Sequence, residues 1–87
     1  MKTKKHNVER LINVFSEETE EYVQEIKLKE FDLKAFQKEF GILDAANPMY
    51  DCYQIKEKNI NFIKKYLNES VVWDFKKYSY FIEANGT

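Results

Sequence analysis

The side chains that could perform nucleophilic or metal chemistry are few in this chain. Cys52 is the only cysteine and His6 the only histidine, and their spacing does not unite them in one site. A reactive thiolate needs an imidazole or a positive charge beside it, whereas Cys52 follows Asp51 and lies between two tyrosines. A structural zinc site needs three or four clustered ligands. We therefore expect no metal site, and we expect Cys52 to be a small core residue, as free cysteines usually are.

Acid–base and phosphate chemistry also lack the residues that they need. Asp51 and Glu83 are the carboxylates that could act as a pair, but charged residues on strands usually face solvent. Gly41 and Gly86 are the only glycines, which is too few for a loop that cradles phosphate. Exposed tyrosines could stack on bases, but the basic groove that accompanies such stacking is missing. The sequence thus predicts no enzyme activity, no cofactor and no nucleic-acid binding.

Acidic residues are concentrated in the first part of the chain. Residues 6–55 contain eleven acidic side chains and five basic ones, although the whole chain has a formal net charge of −1. Such a surface can steer a basic protein partner, although an ordinary solvated surface is the commoner case. Both interpretations apply to the acidic stretch at residues 16–21. The candidate partner-binding residues are Glu17, Glu18, Glu20, Glu21, Asp44, Tyr50 and Asp51.

Length and composition predict one domain over residues 1–87. The chain is 44% hydrophobic and 16% aromatic, which is enough for a buried core. A single cysteine excludes an intramolecular disulfide. Charged residues interrupt the apolar run that an export signal requires, and no apolar run approaches the roughly 18 residues of a membrane span. We expect a cytoplasmic protein that does not bind membranes, with flexible ends at residues 1–7 and 85–87.

Two segments near the start of the chain predict a β-hairpin. Residues 8–15 suit a strand that is partly covered on both faces, with Ile12 and Val14 on one side and Leu11 on the other. A polar, acidic stretch follows, and residues 22–28 then alternate again. The alternative is a short helix over residues 16–29, because glutamate is a good helix former.

The clearest local signal is the start of a helix at Asp32. Its carboxylate can accept hydrogen bonds from the free amides of a first helical turn, and Phe31 can pack on Phe36 as a hydrophobic staple. Gly41 can adopt the left-handed conformation that closes a helix. Together these residues predict a helix over residues 33–40.

The rest of the chain predicts a loop, two strands and a second helix. Pro48 disfavours helix just before it, so residues 42–49 form a loop and residues 50–55 a short strand. Residues 56–67 have a broad apolar stripe at helical spacing, and residues 71–84 form one long or bent strand. The predicted class is α+β: a two-layer single domain with about four mainly antiparallel strands, two helices on one face and the order β-β-α-β-α-β. The strand order and the oligomeric state do not follow from the sequence.

Two blocks of the sequence carry a family resemblance. They are residues 47–53 (Asn-Pro-Met-Tyr-Asp-Cys-Tyr) and residues 78–84 (Tyr-Ser-Tyr-Phe-Ile-Glu-Ala). With the acid-rich turn and strand of residues 15–28 and the Phe31-Asp32-Leu33 helix entry, they resemble an uncharacterised family of small bacterial domains over most of the chain. These small single-domain proteins resemble the immunity proteins encoded beside polymorphic toxins of contact-dependent inhibition and related systems.

The resemblance implies a cytoplasmic immunity protein that binds a cognate toxin domain and blocks its active site, with a nuclease as the expected toxin. It carries no catalytic residues. The alternative is a general protein-interaction or regulatory domain without a toxin partner. A small enzyme is a third possibility, and it would need a convergent polar pocket.

Overall fold

The structure is a computed structural model that describes residues 8–86, and its elements follow the predicted order. The strands are β1 (Val8–Ser16), β2 (Tyr22–Lys27), β3 (Tyr53–Ile55) and β4 (Tyr78–Gly86), and the helices are α1 (Leu33–Glu39) and α2 (Ile60–Ile63). The α+β class and the order β-β-α-β-α-β are therefore confirmed. The predicted flexible segment at residues 1–7, and Thr87, lie outside the described residues.

The four strands form one antiparallel sheet in the order β2-β1-β4-β3. The predicted hairpin of β1 and β2 is confirmed, and the alternative helix over residues 16–29 is wrong. The two central strands, β1 and β4, pair along their whole lengths. Asn85 and Gly86, which the sequence predicts to be flexible, continue β4 and pair with Glu9 and Val8.

Both helices pack on one face of the sheet. Side chains alternate along a strand, so Ile12 and Val14 of β1 point into the core, whereas Leu11 and Phe15 lie on the opposite face. Leu11 is buried and Phe15 is half-buried, so β1 is partly covered on both faces, as predicted. The core cluster consists of Ile12, Val14, Ile26, Phe36, Met49, Ile55, Ile63, Leu67, Tyr80 and Ile82.

Local capping sets both ends of α1, as predicted. The Asp32 carboxylate accepts a hydrogen bond of 3.2 Å from the backbone N–H of Ala35. The ring centroids of Phe31 and Phe36 lie 4.3 Å apart, which forms the staple. After the helix, Gly41 has a φ of +72°, the left-handed conformation that closes many helices.

The strand predicted at residues 50–55 is shorter than expected, because β3 begins only at Tyr53. Met49 is fully buried with a φ of +56°. This left-handed backbone turns the chain away from the extended path just after Pro48. Residues 50–52 therefore belong to the preceding loop.

Side chains hold this loop where strand pairing does not. The Arg10 guanidinium donates hydrogen bonds to the carbonyl oxygens of Met49 at 2.8 Å and Pro48 at 2.9 Å. From α1, the buried Gln37 amide donates to several loop carbonyls, the shortest bond being 2.7 Å to Asn47. The loop is thus fixed to both layers of the domain.

The second helix is shorter than predicted. Within residues 56–67 only Ile60–Ile63 is α-helical, and a tighter 3₁₀ turn lies at each end. The chain becomes extended at Leu67, whose backbone forms a bridge to Leu28 at the end of β2. This pairing ends the helix, and short helical segments often tighten into 3₁₀ turns.

The final strand also begins later than predicted, at Tyr78 instead of residue 71. The Asp74 carbonyl accepts the N–H of Tyr78 at 2.9 Å, which closes a turn before the strand. The rings of Trp73 and Phe75 stack with centroids 6.0 Å apart, and both pack on Tyr80. Aromatic packing on the core, instead of strand pairing, therefore positions this segment.

Candidate partner-binding site

The face of the sheet opposite the helices, called the open face below, carries the candidate site. The register of the β1–β4 pairing determines which side chains meet on this face. Leu11, Asn13 and Phe15 of β1 lie there next to Glu83, Phe81 and Ser79 of β4. Gln54 of β3 is paired with Phe81 and lies on the same face. The open face thus combines aromatic, amide and carboxylate side chains from three strands.

A depression of about 460 Å³ lies on the open face at the end of the sheet nearest the β1–β2 turn. The rings of Phe15 and Phe81 meet edge to face at 5.9 Å, and Tyr22 of β2 continues the row at 6.1 Å from Phe15. The residues that line the depression are Phe15, Ser16, Glu17, Glu20, Cys52, Gln54, Ser79, Phe81 and Glu83.

The β1–β2 turn holds two acidic residues at the edge of the depression. The backbone N–H of Glu20 donates to the Ser16 carbonyl at 2.8 Å, and the N–H of Ser16 donates to the Glu21 carbonyl at 2.9 Å. The Ser16 hydroxyl accepts from the N–H groups of Glu18 and Thr19. Glu20 has a φ of +64°, a conformation that costs a non-glycine residue about 1–2 kcal/mol.

Glu83 and Cys52 form the polar wall of the depression. The Asn13 amide donates a hydrogen bond of 2.8 Å to Glu83 Oε1, which fixes the carboxylate on the sheet. The prediction that Cys52 is a core residue is wrong: it is exposed, because it lies in the loop before β3. Partial desolvation of the sulfur raises the pKa of the Cys52 thiol, and the nearby Glu83 carboxylate raises it further. This environment disfavours a thiolate nucleophile.

The structure separates the seven predicted partner-binding residues into two groups. Glu17 and Glu20 line the depression, while Glu18 and Glu21 lie in the same turn but do not line it. The others are on the loop before β3: they are Asp44, Tyr50 and Asp51.

Asp44, Tyr50 and Asp51 do not line the depression. Asp44 accepts a hydrogen bond of 2.9 Å from the Ala46 N–H, so it stabilises the loop. The half-exposed Tyr50 ring lies 5.2 Å from the Arg10 guanidinium carbon on the helix-covered side. Asp51 is exposed and raises the pKa of the adjacent Cys52 thiol.

Sequence reasoning missed most of the depression as a site. Phe15, Gln54 and Phe81 were expected only as strand residues, and Glu83 only as a possible acid–base group. The sequence feature that could have indicated the depression is the alternation along β4, which places residues 79, 81 and 83 on one face of the strand. That signal identifies the site only once the β4–β1 and β4–β3 pairings are known.

The open face and its turn are strongly acidic. Lys27 is the one basic residue placed there by the pairing with β1, and it forms a salt bridge of 2.8 Å with Glu9. Within residues 8–86 this is the only salt bridge. The carboxylates of the open face and turn are Glu9, Glu17, Glu18, Glu20, Glu21, Glu25 and Glu83.

Two further findings concern alternative sites. In the described part of the chain, no three histidine, cysteine or acidic side chains cluster closely enough to hold a metal ion. No helix among residues 8–86 has the length and apolar character needed to cross a membrane.

A family model described as a domain of unknown function, DUF7683, matches residues 9–83. The chain belongs to the DUF7683 family. The matched region of this DUF7683 domain extends from β1 to β4 and includes every residue that lines the depression. Comparison with curated proteins and with solved structures gave no match. The family description assigns no activity or partner.

Proposed function

We propose that this DUF7683 domain is a cytoplasmic immunity protein that binds and neutralises a cognate toxin domain through its open face. The observation that carries the proposal is the depression, where Phe15 and Phe81 form an apolar floor beside Glu17, Glu20 and Glu83. Such a surface suits a protein partner with a basic, partly apolar face. A nuclease is the expected toxin, because nucleases present basic surfaces to nucleic acid.

The apolar floor supports a binding role. Aromatic residues near the centre of an interface commonly supply most of its affinity, and polar residues around them exclude water. Phe15 and Phe81 are only partly buried in the free domain, so a partner would remove more of their surface from water. Tyr22, which is 55% exposed, extends this apolar surface along the sheet.

The acidic surroundings support the choice of a basic partner. Opposite charge speeds encounter more than it strengthens the final complex. The screening length contracts from about 30 Å at 0.01 M salt to about 8 Å at 0.15 M. We therefore expect the association rate with the toxin to fall as salt rises, while the dissociation rate changes much less.

The rival function is a protein-interaction or regulatory domain without a toxin partner. The same open face would serve it, and the two functions differ in what occupies that face. The gene neighbourhood separates them, because immunity requires a toxin gene beside this one.

A growth assay tests the proposal. Cells that express the neighbouring toxin domain are expected to survive when the wild-type domain is co-expressed and to die with Glu17→Lys combined with Glu20→Lys. The matched control is Glu30→Lys with Glu69→Lys, which changes the net charge equally at exposed positions outside the depression. The control is expected to protect.

Equal protection by both double variants would contradict the assigned face. Absence of a neighbouring toxin, together with failure to bind any candidate toxin domain, would overturn the immunity function itself. Circular dichroism of each variant separates lost binding from lost folding.

A further inference from the structure

We propose that the depression binds an arginine side chain that the partner inserts between the aromatic floor and the carboxylates. This inference rests on the proposed function for the identity of the partner, but not for the chemistry of the depression. It identifies the group that the open face recognises.

The floor of the depression suits a guanidinium group. Phe15 and Phe81 are half-buried and meet edge to face at 5.9 Å, which leaves part of each ring accessible from the open face. Cations are attracted to the faces of aromatic rings, and arginine uses this contact more often than lysine does. The domain already contains such a contact on its other side, where the Arg10 guanidinium carbon lies 4.1 Å from the centroid of Phe31.

The walls supply carboxylate acceptors, and Lys77 lies beside one of them, because its carbonyl accepts a hydrogen bond of 2.8 Å from the Glu17 N–H. Glu17, Glu20 and Glu83 line the depression, and in residues 8–86 no lysine or arginine forms a salt bridge with them. Asn13 holds Glu83 Oε1 at 2.8 Å, so this carboxylate is already oriented before a partner arrives. Preorganised acceptors lose less entropy when a ligand binds.

The combination favours arginine over lysine. A guanidinium is planar, so it can lie on a ring and at the same time donate two parallel hydrogen bonds to a carboxylate. An ammonium is a compact, strongly hydrated charge and cannot do both. The volume of about 460 Å³ is within the range of about 300–1,000 Å³ that holds small ligands, so residues that flank the arginine also fit.

Nuclear magnetic resonance titration with small probes tests the inference without a toxin. N-acetyl-arginine amide is compared with N-acetyl-lysine amide and with N-acetyl-citrulline amide, which has the shape of arginine but no charge. The arginine probe is expected to shift the amide signals of Gln54, Ser79 and Phe81. We expect the citrulline probe to bind at least about tenfold more weakly, which corresponds to the loss of one charged hydrogen bond.

Two variants and one control complete the test. Glu83→Gln and Glu20→Gly are each expected to weaken the arginine probe by about threefold or more, whereas Glu30→Gln leaves it unchanged; amide spectra establish that each variant is folded. Equal binding of arginine and citrulline, or shifts spread over the whole surface, would overturn the arginine site. Specific arginine binding without protection against the toxin would support the arginine site and overturn the immunity function. Protection against the toxin without arginine binding would support the immunity function and overturn the arginine site.

Discussion

Replacing Arg10 by methionine removes the group that joins β1 to the loop before β3. The guanidinium makes two hydrogen bonds of 2.8 Å and 2.9 Å to the carbonyls of Met49 and Pro48, and it lies 4.1 Å from the Phe31 ring centroid. Hydrogen bonds to a charged group contribute about 1.5–3 kcal/mol each, and a cation–π contact about 0.5–2 kcal/mol. Burial lowers the pKa of the Arg10 guanidinium, because removing the charge from water has a desolvation cost.

These contributions do not add fully, because water can replace part of what is lost. Pro48 is exposed, so its carbonyl can bind solvent, whereas the Met49 carbonyl is the less accessible acceptor. We therefore expect Arg10→Met to lower the free energy of unfolding by about 2–3 kcal/mol, a large part of the 5–15 kcal/mol of a typical domain. With a urea dependence of about 1–3 kcal/mol per molar, the midpoint falls by about 0.7–3 M.

Urea titration followed by fluorescence measures this change, because the single tryptophan, Trp73, packs on Tyr80 in the core. The matched control is Lys27→Met, which removes a salt bridge whose lysine side chain is 63% exposed and which we therefore expect to leave the midpoint almost unchanged. An Arg10→Met midpoint no lower than that of Lys27→Met would refute the reasoning. Because Arg10 lies on the helix-covered side, the folded variant should still bind the partner.

Three further predictions concern the turn, the thiol and the helix cap. Glu20→Gly is expected to raise the free energy of unfolding by up to about 1 kcal/mol, since glycine tolerates the positive φ. The same variant should bind the partner more weakly, because it removes a carboxylate of the depression. A variant that is less stable than the wild type but binds equally well would contradict both expectations. The raised pKa of the Cys52 thiol predicts slow alkylation at pH 7 that accelerates as the pH rises above the ordinary thiol pKa. Glu83→Gln removes a carboxylate that raises this pKa, so it should accelerate alkylation at pH 8. Equal alkylation rates for the wild type and Glu83→Gln would argue against the contact with Glu83. Asp32→Ala removes the N-cap of α1 and should cost about 0.5–2 kcal/mol in urea titration, so an unchanged midpoint would mean that the cap is not stabilising.

The helices and strands that the sequence predicts correctly are those set by interactions within one segment of the chain. The cap at Asp32, the Phe31–Phe36 staple and Gly41 act within one segment, and the structure has α1 where they predict it. The hairpin of β1 and β2 is also local. By contrast, residues 50–52 and 71–77 have the alternating pattern of strands but are not in strands. Arg10 holds the loop that contains residues 50–52, while the turn at Asp74 and aromatic packing position residues 71–77. The periodicity of the sequence does not reveal these interactions.

The site was predictable only in part for the same reason. Glu17 and Glu20 were identified because acidic residues stand out in composition. The floor needed the pairing of β1 with β4, which joins residues more than 60 positions apart, such as Phe15 and Ser79. Cys52 was misplaced because its position between two tyrosines suggested a buried strand, whereas the left-handed backbone at Met49 keeps it in the loop.

The most direct test of the central claim is the dissociation constant between the purified toxin domain and three forms of this protein. The forms are the wild type, the depression variant Glu17→Lys with Glu20→Lys, and the loop variant Asp44→Lys with Asp51→Lys, each measured by calorimetry at fixed salt. We predict about 100-fold weaker binding for the depression variant, as expected when residues at an interface hot spot are reversed in charge, and less than about threefold for the loop variant. Binding that is lost in the loop variant but retained in the depression variant would contradict the account.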